Sequence, residues 1–208
     1  MSKLFGYGED GFTLWTLKKR VSEILIKLND MTKPSDSLIF FRPSFGRSSG
    51  RGSAEFGEFD AILASLENIY LIESKWDNFS KNGNDEIKLN DEQILRHKIF
   101  LWYYMNWDAQ QSDWKFSNDQ QKDFVSNFPD RKTAPSGSLL AQNLEFVLKK
   151  LQEHCKRCEH RYPRNVLLYF YNKENSKEIK NVIAGNVKFE VINIDYSQYI
   201  QDNFIILD

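Results

Sequence analysis

The spacing of apolar residues along the chain predicts alternating helices and strands. Between residues 12 and 29 apolar side chains recur every three or four positions, which predicts an amphipathic helix with one side facing a core. The same spacing predicts helices over residues 91–106 and 138–160. Short apolar runs predict strands over residues 38–42, 58–66, 69–77, 165–171 and 187–194. This order predicts an α/β fold in which helices flank a mixed β-sheet.

Two neighbouring strands are predicted to form a hairpin that carries ionisable residues. Glu67 and Asn68 separate its two apolar runs and are residue types that favour a turn. If they form a two-residue turn, Asp60 lies opposite Lys75. Because side chains alternate between the faces of a strand, Asp60, Glu73 and Lys75 then share one face. A turn with one more residue would separate Asp60 from the other two.

These three residues have the chemistry of a metal-assisted phosphodiester-cleaving site. Mg²⁺ prefers oxygen ligands and is usually held by one or two carboxylates together with substrate phosphate oxygens, which is the role expected of Asp60 and Glu73. A lysine beside the metal can hold the attacking water, or deprotonate it if its environment weakens its hold on the proton. Lys75 is predicted to take that role.

Asp60 followed by Glu73-Ser74-Lys75 resembles the active-site signature of the PD-(D/E)xK nuclease superfamily. The resemblance includes the order of elements from about residue 11 to residue 196, and Gln93 with the Arg96-His97 pair on the next helix. It implies a restriction-endonuclease-like fold and a Mg²⁺-dependent DNA endonuclease, with Mn²⁺ as a substitute ion. It also implies that the Ser74 carbonyl joins the metal ligands and that Gln93 orients a carboxylate or the attacking water.

Two groups of residues are candidates for contacts with nucleic acid. Arg42, Arg47 and Arg51 lie in a Gly/Ser-rich segment without acidic residues, which suits phosphate oxygens, although a solvated loop is the alternative. The resemblance adds Arg96 and His97 as phosphate contacts. Their alternative is that Gln93 caps its helix and that His97 is a hydrogen-bonded core residue.

Composition is compatible with one enzyme domain. The chain has 208 residues, of which 41% are hydrophobic, enough for a single core, and we predict one domain over residues 1–208 with a polar insertion at about 108–137. The N-terminus lacks a signal pattern, and no apolar run is long enough for a membrane helix, so we expect a cytoplasmic protein without a membrane partner. The net charge of −1 means that attraction to DNA must come from local patches.

Several alternatives stay open from the sequence. Glu9 or Glu23 could join the metal site, although Glu23 lies opposite the apolar side of its predicted helix. Cys155 and Cys158 are expected to be reduced thiols rather than zinc ligands. The site is also compatible with cleavage of RNA or branched DNA, and the fold with a non-cleaving nucleic-acid-binding or assembly module. A homodimer would supply the two sites that double-strand cleavage needs.

Overall fold

The structure, a computed structural model, describes residues 3–46, 52–77, 85–110, 113–155, 162–201 and 204–207. In these residues the helices are α1 (Gly8–Lys19), α2 (Val21–Lys27), α3 (Asp91–Asn106), α4 (Asn118–Asn127) and α5 (Leu139–His154), with a 3₁₀ turn at Pro34–Asp36. The strands are β1 (Phe5–Tyr7), β2 (Leu38–Phe41), β3 (Ser44–Phe45), β4 (Gly57–Glu58), β5 (Ala61–Ala64), β6 (Ile69–Trp76), β7 (Glu86–Lys88), β8 (Arg164–Tyr171), β9 (Asn181–Ile183), β10 (Glu190–Asp195), β11 (Ile200–Gln201) and β12 (Phe204–Ile206).

A five-stranded mixed sheet is the centre of the fold. Its strand order is β10-β8-β6-β5-β2, in which β10, β8 and β6 run parallel, while β5 is antiparallel to both β6 and β2. β6 is therefore flanked on both sides, and seven of its eight residues are buried. The predicted α/β class with a mixed sheet is confirmed.

Alternating side chains of the hairpin strands pack into two different cores. Ile62 and Leu71 face α3 and α5, where Phe100 and Leu148 complete the first core. Side chains one position along, such as Ile72, face α1 and α2 in the second core. The sheet is thus covered on both faces, which explains the nearly continuous apolar sequence of β5 and β6.

The hairpin has a different register from the predicted one. Ala64 pairs with Ile69, and the four residues from Ser65 to Asn68 form the connection, in which the Ser65 amide donates to the Asn68 carbonyl over 2.9 Å. The predicted two-residue turn is therefore wrong. Because the shift is by two residues, every side chain stays on its predicted face.

The helices were predicted with uneven accuracy. α3 has the predicted bounds, whereas the first predicted helix begins earlier, at Gly8, and is interrupted at Arg20. At this break the Arg20 guanidinium donates to the Asp195 carbonyl over 2.9 Å and lies over the ring of Trp15. None of the helices among the described residues is both long and apolar enough to cross a membrane.

The segment over residues 108–137 contributes to the first core. It contains α4, and its Trp114, Phe124 and Phe128 side chains are buried. The Trp114 indole donates to the Ala134 carbonyl over 2.9 Å, which ties the two ends of the segment together. These aromatic residues, in a polar segment, extend the core beyond the sheet and α3.

The cysteine prediction is wrong where the structure tests it. Cys155 is disulfide-bonded and therefore not a free thiol. It also forms the C-cap of α5, which ends at His154 instead of continuing to residue 160 as predicted. Cys158 lies outside the described residues.

Candidate active site

The structure brings Asp60 and Glu73 together on adjacent strands. Asp60 immediately precedes β5, and continuing the register from the Ala61–Ile72 pair places it opposite Glu73. Its Oδ2 accepts a hydrogen bond of 2.7 Å from the Ser74 amide. Oδ1 of Asp60 accepts none from the residues that the structure describes. The first carboxylate is thus anchored to β6 through one oxygen.

Burial and like charge act together on Asp60. Removal from water raises the pKa of its carboxyl to about 7, with a further upward contribution from the charge of Glu73. The Ser74 amide and the Lys75 ammonium oppose this rise, while Glu9 adds to it. Asp60 therefore lies in an environment that disfavours its ionised form.

Glu73 is almost fully buried, at 1% exposure, and three side chains of α3 bind it. Gln93 donates to its Oε2 over 3.0 Å, Arg96 donates to its Oε1 over 2.9 Å, and the His97 ring lies 3.3 Å from Oε1. Gln93 also forms a reciprocal capping box with Asn90 at the start of α3. Gln93 therefore both caps its helix and donates a hydrogen bond to Glu73.

His97 is a buried link between Glu73 and β8. Its Nδ1 lies 2.7 Å from Oδ1 of Asn165, whose amide nitrogen donates to the Lys188 carbonyl. This orientation of the amide makes Nδ1 the donor. His97 is 2% exposed and both ring nitrogens lie close to polar partners, so its placement gives no support to the predicted phosphate contact, which stays a prediction.

Arg96 also points into the protein. Its Nη1 donates to the Glu58 carbonyl and to Glu73, and its guanidinium lies over the buried ring of Phe59. A Cβ on Gly57, which has φ +104°, would approach Arg96 Nε to 3.2 Å, so glycine leaves room for this side chain. Its placement on Glu73 gives no support to the predicted phosphate contact.

Lys75 lies between β6 and the start of α1. Its Nζ donates to the Ser74 carbonyl over 2.7 Å and to Glu9 over 3.1 Å. Glu9 also accepts from the Trp76 amide, and burial raises the pKa of its carboxyl. One turn further along α1, the Thr13 hydroxyl is hydrogen-bonded to the Ser74 hydroxyl at 2.8 Å. α1 is thereby fixed against the strand that carries Lys75.

Of the two further acids considered from the sequence, only Glu9 joins this cluster. Glu23 lies on α2 and forms ion pairs with Arg20 and Lys27. The sequence pattern does not single out Glu9, because the predicted helix begins at residue 12, after it. The acidic pair Glu9-Asp10 directly before an apolar helical pattern was the signal for an earlier start, since acids favour the first turn of a helix. Asn165, which holds His97, had no recognisable signal in its apolar strand.

The arginine candidates in the Gly/Ser-rich segment are only partly described. Arg42 forms ion pairs with Asp10 and Glu58, and these raise the pKa of its guanidinium, the Glu58 hydrogen bond most strongly. Its charge is therefore already matched by two acids on α1 and β4. Arg47 and Arg51 lie outside the described residues.

The donor set fits a hard divalent cation in part. Asp60 has a carboxylate oxygen without a hydrogen-bonding partner among the described residues, and the Asp60–Glu73 repulsion is what such a cation would relieve. However, both Glu73 oxygens and the Ser74 carbonyl already accept hydrogen bonds. No group of three or more His, Cys, Asp or Glu side chains suited to a metal is found in the described parts of the chain. The fit thus depends on two carboxylates, which is within the usual range for Mg²⁺.

Comparison of the chain with known proteins found no match. No family model, no curated protein and no solved structure matches the chain. The description of the site therefore depends on its own geometry. A half-buried carboxylate lies opposite a buried one, a lysine follows the second by two residues, and the neighbouring helix contributes Gln93 and Arg96.

Proposed function

We propose that this protein is a Mg²⁺-dependent DNA endonuclease with a restriction-endonuclease-like fold. The observation that supports this most is the convergence of Asp60, Glu73 and Lys75 at one edge of the hairpin, with Asp60 held in a site that disfavours its charge. Perturbed carboxyl groups of this kind are concentrated at functional sites. Around the triad, the hairpin β5–β6 is followed by α3 after the short β7, and by β8 after two further helices, which is compatible with the family that the sequence resembles.

Asp60 and Glu73 would hold the metal, with the Ser74 carbonyl as a further oxygen ligand. When bound, Mg²⁺ supplies charge stabilisation to the phosphoryl oxygens during in-line displacement and orients the attacking water. The protein residues keep Asp60 anchored to the Ser74 amide and keep Glu73 aligned through Gln93. Lys75 is held by Glu9 close to the same carboxylates, where its ammonium can hold water or a phosphate oxygen.

A non-cleaving nucleic-acid-binding or assembly module is the second candidate, because a specific observation favours it. Glu73 is already paired with the Arg96 guanidinium, and Lys75 is paired with Glu9. A carboxylate and a lysine that are both engaged in this way can serve stability alone. A nuclease that acts on RNA or branched DNA would use the same site and differ only in substrate.

The two candidates make opposite predictions for nicking of supercoiled plasmid DNA with Mg²⁺. The nuclease converts the plasmid to the open circle, and Lys75→Ala slows this by about a hundredfold or more, as is typical when a positioned group that handles the water is lost. Lys122→Ala is the matched control, because this lysine is exposed on α4 and, among the described residues, forms an ion pair with Asp119 alone. Equal nicking by wild type and Lys75→Ala would remove Lys75 from the mechanism. Wild type that cleaves neither DNA nor RNA would favour the module.

A further inference from the structure

An exposed strip of apolar side chains lies beside the candidate active site. β1 and β12 pair antiparallel in a separate three-stranded sheet with β11. The cross-strand pairs Tyr7–Phe204 and Phe5–Ile206 present all four side chains on the outer face, whereas Gly6 and Ile205 between them are buried. Tyr7 is 59% and Phe204 45% exposed, and their ring centroids lie 5.3 Å apart. We call these four residues the aromatic strip.

The aromatic strip is connected directly to the catalytic cluster. Tyr7 is the N-cap of α1, two residues before Glu9, which binds Lys75. Its ring also makes an edge contact, at 6.1 Å between centroids, with Trp76, the residue after Lys75. A ligand that lies over Tyr7 would therefore be continuous with whatever occupies the site.

The strip is held rigidly relative to that site. Gly6 of β1 and Gly11 of α1 approach so closely that a Cβ on Gly11 would lie 2.6 Å from the Gly6 carbonyl carbon. This close crossing fixes β1 against the helix that carries Glu9. The rings are thus part of the same rigid unit as the catalytic residues, which favours a positioning role.

Positive charge at one end of the strip suits a polyanion that runs along it. At the end next to Tyr7 the Lys75 ammonium is matched by Glu9, so among the described residues the unmatched positive charges lie at the opposite end. At the other end the exposed Lys18 donates to the Leu207 carbonyl just after β12, and Lys3, just before β1, is exposed as well. Ring faces beside ammonium groups are an arrangement with which proteins bind single-stranded nucleic acid, because bases stack on aromatic side chains while ammonium groups contact phosphates.

We propose that the aromatic strip binds the unpaired bases of a single-stranded DNA segment whose phosphodiester enters the Asp60–Glu73–Lys75 site. This inference rests on the proposed nuclease function and makes its substrate more specific. In a duplex the base faces are covered by their neighbours, so only a single strand or a frayed end offers them to Tyr7 and Phe204. The preferred substrate is therefore a single strand, flap or unpaired end rather than intact duplex.

Binding without cleavage provides the test. A labelled oligo-dT of about 12 nucleotides is titrated by fluorescence anisotropy in EDTA, with a blunt duplex of the same length as comparison. We expect the single strand to bind more tightly, and Tyr7→Ala and Phe204→Ala each to weaken it about tenfold, with affinity restored in Tyr7→Trp because the ring face is kept. Phe146→Ala is the control, since this ring is 57% exposed on α5, away from the strip, and its loss should leave affinity unchanged.

Three results would overturn the inference. They are equal affinity for single strand and duplex, alanine variants that bind like the wild type, and a wild-type dimer in light scattering that Phe5→Lys converts to monomer. The last would show that the strip is a self-association surface. The protein could bind the single strand through Tyr7 and yet cleave no nucleic acid with Mg²⁺. That result would confirm that the aromatic strip binds single-stranded DNA and would contradict the proposed nuclease function, so the two failures are distinguishable.

Discussion

An aspartate lies at each end of the β5–β6 hairpin, and the two differ in how completely they are hydrogen-bonded. At the turn, Asp30 is 3% exposed and its Oδ2 accepts from Ser65, Asn68 and Tyr70, while Oδ1 accepts from the Thr32 amide. At the other end Asp60 accepts one hydrogen bond, from Ser74, and faces the negative charge of Glu73.

These environments shift the pKa values of the two carboxyl groups in opposite directions. Burial alone would raise the pKa of Asp30, but its hydrogen bonds from Ser65, Asn68, Tyr70 and Thr32 outweigh this and lower the pKa well below the ordinary range. Burial and Glu73 raise the pKa of Asp60 to about 7. Fully hydrogen-bonded buried groups are typical of structural networks, whereas unbalanced ones are typical of functional sites. The contrast identifies Asp30 as the structural carboxylate and supports Asp60 as the functional one.

The largest effect on stability is expected at the turn. Asp30→Ala leaves the Ser65, Asn68 and Tyr70 donors without their acceptor and should lower the free energy of unfolding at pH 7 by about 4 kcal/mol. Urea denaturation measures this. Asp119→Ala, at a side chain that is 95% exposed, is the control and should change stability by less than about 0.5 kcal/mol. A small loss in Asp30→Ala would mean that the network does not hold the turn.

At the candidate active site we expect the opposite effect: removal of the Asp60 charge should increase the free energy of unfolding. Because folding raises the pKa of Asp60, ionisation costs the folded state stability, and this cost grows as pH rises from about 4 and is complete above about 7. Asp60→Asn keeps an acceptor for the Ser74 amide without the charge, so it should raise the free energy of unfolding by about 2 kcal/mol at pH 8 and by little at pH 4. The measurement is urea denaturation at both pH values. Destabilisation at pH 8 would show that the charge of Asp60 is well compensated.

A divalent ion should reduce the difference in stability between the wild type and Asp60→Asn at pH 8. If Mg²⁺ binds Asp60 and Glu73, 10 mM MgCl₂ at pH 8 should stabilise the wild type by about 1 kcal/mol, the amount expected when the ion concentration is several times the dissociation constant. Asp60→Asn should lose that stabilisation, whereas Asp30 variants should keep it. Thermal unfolding with and without the salt, at constant ionic strength, measures it. The same gain in wild type and Asp60→Asn would place the ion elsewhere.

The smallest expected effect concerns Gln93, and it separates the role of this residue as a helix cap from its contact with Glu73. Gln93 and Gln120 occupy the same position in the capping boxes of α3 and α4. Each alanine substitution should therefore cost about 1 kcal/mol of stability. Of the two variants, only Gln93→Ala should also slow plasmid nicking, because Gln93 donates to Glu73 whereas Gln120 lies on a different helix, α4. Equal activity in the two variants would reduce Gln93 to a helix cap.

The sequence by itself determined the features that depend on neighbouring residues. The bounds of α3 followed from its apolar spacing, which is a local signal, and the Asn90–Gln93 cap found in the structure is local as well. The shared face of Asp60 and Glu73 followed from the two-residue period of strands and survived the error in the turn, since that error was an even number of residues.

Only the tertiary structure decided which partners these residues have. The turn is four residues long, and its Ser65 hydroxyl is bound by Asp30, 35 positions earlier, which no local pattern reveals. Lys75 is held by Glu9, 66 positions away, and His97 is buried against Asn165, 68 positions away. Local periodicity fixes the face on which a side chain lies, but its charge balance depends on long-range packing that brings together distant parts of the chain.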